Sequence, residues 1–66
     1  MEKLIGYVLW YNSQLGIGTI EEIRSGDKYS ISFSDVYTIN KTLFEEDLVS
    51  FIPMPDYSAK KVTLIL

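Results

Sequence analysis

The densest run of groups able to move a proton or hold a divalent cation is Glu45-Glu46-Asp47, and little in the chain could work with it. There is no histidine and no cysteine, and no serine has a base at a spacing that suggests a triad. Three acids in a row between apolar segments read as a solvated turn rather than as a general acid/base pair or a metal cluster. Gly16 and Gly18 do not make a phosphate-binding loop, because no lysine and no strand-to-helix transition follow them. The expectation is a chain without catalysis, cofactor, metal or small-molecule substrate. What remains is contact chemistry, concentrated in the near-continuous apolar run Leu4, Ile5, Tyr7, Val8, Leu9, Trp10 and Tyr11. A strand apolar on both sides needs cover on both, or one side is a binding surface.

Sixty-six residues make one small domain, near the lower limit at which a single core folds a chain unaided, and without cysteine its stability must come from packing. The hydrophobic fraction of 47% suffices for a compact barrel, and no uninterrupted apolar run is long enough to span a bilayer. The start, Met1-Glu2-Lys3-Leu4-Ile5-Gly6, lacks the long apolar region of a secretory signal, so a cytoplasmic address is expected and the sequon Asn40-Lys41-Thr42 reads as a chance match. Nine acids against six bases give a net charge of −3, the wrong sign for gripping duplex phosphate by bulk charge. Single strands are less constrained, since stacking on aromatic rings supplies about 1–3 kcal/mol per base whatever the global charge.

The elements that must position these residues are all strands. Lys3 to Tyr11 is the first, and Leu15 to Glu22 the second, with Asn12-Ser13-Gln14 turning between them. Gly16 and Gly18 leave one side of the second run bare, as a bulge or close backbone approach requires. After a turn at Arg24-Ser25-Gly26-Asp27, Lys28 to Phe33 alternates Tyr29, Ile31 and Phe33 against Ser30 and Ser32, the signature of a half-buried strand. Ser34-Asp35-Val36 reads as a short helical turn and Tyr37 to Thr42 as a loop. Leu48 to Ile52 is the fourth strand, ended by Pro53-Met54-Pro55-Asp56, and Lys60 to Ile65 is the fifth. Five strands with short connections and no amphipathic helix of useful length argue for an all-β chain folded as a small closed or nearly closed barrel.

The pattern Gly6-x-Val8-x-Trp10-Tyr11-Asn12-x-x-x-Gly16-x-Gly18-x-Ile20 resembles the opening hairpin of cold-shock domains, small OB-type barrels that bind single-stranded RNA and DNA. The resemblance extends in order along the chain and implies a five-stranded antiparallel barrel of the OB type, with Val8, Ile20, Ile31, Val49, Phe51 and Val62 as most of its core. If the family register holds, Ile20 points inward and Ile17, Thr19 and Glu21 share the opposite side. Ile31-Ser32-Phe33-Ser34-Asp35-Val36 falls on the family's V-H-F-S-x-I, Lys41-Thr42-Leu43 on K-T-L, Val49-Ser50-Phe51 on V-S-F, and Ala59-Lys60-Lys61-Val62-Thr63 on A-x-N-V-T. The binding residues match less well. The family's K-G-F-G-F-I is Leu15-Gly16-Ile17-Gly18-Thr19-Ile20 here, without the lysine and both stacking phenylalanines. Its V-F-V-H-F is Tyr29-Ser30-Ile31-Ser32-Phe33, without one phenylalanine and the histidine. A loop aromatic before K-T-L falls near Asn40, where Tyr37 or Ile39 could substitute.

Two readings of function follow. In the first, the chain is a cold-shock-like module that binds single strands weakly on a reduced face built from Trp10, Tyr11, Phe33 and Tyr7, with Lys28, Lys60 or Lys61 meeting phosphates. Three or four lost rings, at about 1–3 kcal/mol each, would turn a tight binder into a weak one. In the second, the former nucleic-acid face is an apolar docking surface for another protein or a second copy, centred on Leu9, Leu15 and Ile17 beside Trp10 and Tyr7. Trp10 either displays its ring or covers one end of the barrel, and Phe33 is either packed or displayed.

Overall fold

The computed structural model describes residues 2–65. Its strands are β1 (Leu4–Asn12), β2 (Ile17–Glu22), β3 (Lys28–Ser32), β4 (Leu48–Pro53) and β5 (Ala59–Leu64), and 3₁₀ turns cover Phe33–Asp35 and Ile39–Lys41. All sheet pairings are antiparallel, in the order β3-β2-β1-β4-β5. The sheet curls strongly into an OB-type half-barrel, so that its two edge strands approach each other through isolated bridges, Ser30 with Ser58 and Val36 with Val62. The backbone N–H groups of Ser30 and Tyr37 donate to Tyr57 and Val62 carbonyls, both at 2.8 Å, which satisfies edge groups that an open sheet would leave bare. Among the described residues no helix is long and apolar enough to cross a membrane.

The core is made by the inward positions of every strand. Val8, Ile20, Ile31, Val49, Phe51 and Val62 are each at most 2% exposed, as expected of them, and Tyr29, Val36, Leu43 and Ala59 complete the cluster. Tyr29 stacks at a tilt on Phe51, with ring centroids 5.0 Å apart. Burial of its ring, with the Asp27, Tyr57 and Glu22 charges acting in the same direction, raises the Tyr29 phenol above its ordinary value.

β1, β4 and β5 differ by one residue at one or both ends from the expected Lys3 to Tyr11, Leu48 to Ile52 and Lys60 to Ile65, with Pro53 inside β4 rather than after it, and larger differences lie at the turns. The second strand starts at Ile17 rather than Leu15, because Ser13 to Gly16 form the hairpin turn and Gly16 takes φ +70°, outside the extended range. Asn12 holds that turn with its side chain, whose Oδ1 accepts from the Gln14 and Leu15 N–H groups at 3.0 and 2.9 Å. Phe33 lies beyond the end of β3 and opens a 3₁₀ turn, which takes it out of the alternating pattern. The loop from Tyr37 to Thr42 contains a 3₁₀ turn of its own.

Two carboxylates tie down the remaining tight turns. Glu22, only 6% exposed, accepts from the Ser25 hydroxyl at 2.6 Å and from the Arg24 and Ser25 N–H groups at 3.0 Å. The Ser25 hydroxyl and Arg24 N–H bonds chiefly hold its pKa below the ordinary glutamate value, against the opposing effect of burial. Asp56 does the same between β4 and β5, accepting from the Ser58 hydroxyl and N–H, and its pKa is lowered by those bonds. A carboxyl whose folded pKa is depressed contributes stability that is fully present above its unfolded pKa and is lost as pH falls through the folded one. Stability is therefore expected to be flat at neutral pH and to fall below about pH 4, where the unfolded chain's carboxyls take up protons first. Glu22→Gln should flatten that acid limb in thermal melts recorded across the acid range. An acid limb identical to that of the parent protein would show that Glu22 is not a source of it.

Candidate nucleic-acid interface

The outer face of β1, β2 and β3 is laid out in rows by strand register. Tyr7 stands opposite Glu21 and Glu21 opposite Lys28; Trp10 is opposite Thr19 and Thr19 opposite Ser30; Asn12 is opposite Ile17 and Ile17 opposite Ser32. Leu9 has no partner in the β1–β2 ladder, which shifts register between Val8 and Trp10, so it is the bulged residue. The extra residue reverses the side of everything after it. Trp10, two residues beyond the buried Val8, is turned to the surface and is 43% exposed, whereas Tyr11 packs against the core.

Tyr11 is thus separated from the Trp10 row. Its hydroxyl donates to the Lys41 carbonyl at 3.5 Å, and burial raises its pKa. Glycine at position 18 is what leaves room for it: a Cβ there would lie 2.5 Å from the Trp10 carbonyl oxygen and 2.8 Å from the Tyr11 ring.

Phe33 is displayed, at 48% exposure, beside the tip of the β1–β2 hairpin. Its N–H donates to the Gly16 carbonyl at 2.8 Å, and a Cβ on Gly16 would sit 2.6 Å from that of Phe33. The ammonium of Lys41 lies 5.0 Å from the centre of the Phe33 ring, within cation–π range. Lys41 is a site residue that the chain's local pattern does not reveal. Only the folding of the Ile39–Lys41 turn back over the hairpin brings it to the ring. The cross-strand residues of the Trp10 row, Thr19 and Ser30, are small and polar, while the next row holds Ser32 and the bulkier Ile17.

Lys28 reaches this face at the start of β3, in the row of Tyr7 and Glu21. Lys60 and Lys61 do not. They lie on β5, where Lys60 pairs with Asp35 at 3.3 Å and both line a groove with Asp35 and Tyr37.

Of the candidate docking residues, Leu15 is 70% exposed at the hairpin tip and lines a cleft of about 390 Å³ with Ser13, Gln14, Gly16 and Phe33. Ile17 is 46% exposed on the outer face, and Leu9 and Tyr7 are half-buried further along β1. In the acidic run, Asp47 caps its own turn, its Oδ2 accepting from the Phe44 N–H at 2.9 Å, while Glu45 and Glu46 are exposed.

No protein-family model matches this chain, and no curated protein matches it.

Proposed function

We propose that this chain is a non-catalytic, cold-shock-like module that binds single-stranded RNA or DNA weakly by stacking bases on a reduced aromatic face. The observation that carries this reading is the display of Trp10 and Phe33, each nearly half exposed, on a face where Thr19, Ser30 and Ser32 are small and polar and Ile17 is the exposed apolar exception. Flat rings left uncovered on a β-sheet suit bases of any identity, because every base offers a π-face, so little sequence preference is expected. Lys41 at Phe33 supplies local positive charge on a chain of net charge −3, and Lys28 stands at the edge of the same face opposite Glu21. Duplex DNA offers neither unstacked bases nor a charge match to this chain.

The test is titration of the intrinsic fluorescence of Trp10 with mixed-sequence single strands and with duplex of the same length. Single strands should quench and duplex should do much less. An unchanged signal with every single strand at high micromolar concentration in low salt would sink the reading.

The 70% exposure of Leu15, beside exposed Ile17 and Phe33, favours a second reading in which this end of the barrel docks on a protein or on a second copy of the chain. Leu15→Lys separates the two. The side chain is far enough into solvent that the variant should fold with stability within about 0.5 kcal/mol of the parent. If the tip is a docking surface, the variant should lose association in sedimentation and cross-linking. If it borders a single-strand track, the added charge should tighten oligonucleotide binding at low salt.

A further inference from the structure

On the far side of the 3₁₀ turn that begins at Phe33 lies an open groove of about 530 Å³, lined by Asp35, Tyr37, Ile52, Met54, Lys60 and Lys61. Its volume is in the range that accepts a ring with a charged substituent. Ile52 and Met54 are partly buried, and Tyr37 is 55% exposed, so the groove has apolar walls and an uncovered ring. The groove is also basic for this protein. Two of the six lysines and arginines line it with one of the nine acids, on a chain of net charge −3. Its one ion pair among the described residues, Lys60 with Asp35 at 3.3 Å, leaves Lys61 as the cation not engaged there.

We propose that this groove is the far end of the single-strand track. A strand stacked on Trp10 and Phe33 passes Lys41 and the Phe33–Asp35 turn and places a base against Tyr37 and a phosphate at Lys61. The proposal rests on the single-strand reading of the Trp10 face. It is argued from charge complementarity and from continuity, since Phe33 opens the turn that Asp35 ends, and Tyr37 follows two residues later. The Lys60–Asp35 pair then acts as a brake, because Asp35 competes with phosphate for the second lysine.

The experiment uses the full chain, isotope-labelled for amide shift mapping, with oligothymidylates of about four and about ten nucleotides, the span of site sizes for one OB fold. The short strand should move the amides of Trp10, Thr19 and Phe33, and the long one should also move those of Tyr37, Ile52 and Lys61. The long strand should bind roughly five- to a hundredfold tighter, the worth of one added stacked base. Lys61→Glu should remove that gain. Asp35→Asn should enlarge it and steepen the dependence of log affinity on log salt by about 0.7, one more phosphate neutralised. Neither substitution should change binding of the short strand. A long strand that moves the Trp10 amide but leaves the groove amides and both variants' affinities unchanged overturns the groove and spares the Trp10 face. Silence of Trp10 and the groove with both lengths overturns the single-strand reading and the groove together.

Discussion

Phe51→Ala is expected to leave the domain largely unfolded in water. Phe51 is fully buried at the centre of the half-barrel, its ring against Tyr29 on one side and its strand paired to β1 at Leu4. Truncating a buried phenylalanine costs about 3–5 kcal/mol, the lost transfer energy plus the cavity left behind. A chain of this length has about 3–10 kcal/mol of total stability to lose, from a typical 0.05–0.15 kcal/mol per residue. Most of the core side chains around the cavity stand on paired strands, which limits how far they can move in to fill it. Urea unfolding followed by far-ultraviolet dichroism should show the parent's single transition and, for the variant, a midpoint at or near zero denaturant. A variant that keeps most of the parent's midpoint would mean that the core does not depend on this ring.

The fold was legible where a strand alternates, as β3 does, whereas β1 is apolar on both sides and the register of β2 follows from the resemblance to cold-shock domains. Val8, Ile20, Ile31, Val49, Phe51 and Val62 can be named as core from the two together, and all of them are buried. Val36 and Leu43 are buried too, yet they sit between strands, where no period marks them, and only the barrel's closure covers them. Val36 is held there by its bridge to Val62, a contact between residues far apart in sequence.

The site was legible by residue type and less so by placement. A bulge is one extra residue, and nothing in Tyr7-Val8-Leu9-Trp10-Tyr11 states where it falls, since every one of these side chains tolerates either side of the sheet. Without it, alternation from Val8 would bury Trp10 and display Tyr11, so parity alone cannot choose between the two rings. Phe33 posed the same problem at a strand end. Its alternation with Tyr29 and Ile31 points inward, but the chain leaves the ladder at Ser32 and the turn carries the ring out. Lys60 and Lys61 follow from β5 curling past β3 to the turn at Asp35, which depends on how far the sheet closes.

That placement makes Trp10→Ala the sharpest test of the interface. The indole is 43% exposed, and its cross-strand neighbours Thr19 and Ser30 are too small to substitute for it, so its removal leaves no second platform in that row. Loss of one stacked base should cost about 1–3 kcal/mol, or roughly five- to a hundredfold in affinity for a short single strand. Phe33→Ala should cost less, because Lys41 already occupies one direction of approach to that ring and can still meet a phosphate once the ring is gone. Trp10 is also the only tryptophan, so the variant must be read with a fluorescent label on the oligonucleotide, by anisotropy in low salt. Trp10→Tyr, which keeps a flat ring, should recover part of the loss, whereas a role in packing alone would show as lowered stability without a change in binding. Equal affinity for parent, Trp10→Ala and Phe33→Ala would remove the stacking surface from the account of this protein and leave the exposed hairpin tip at Leu15 as the stronger candidate for its contacts.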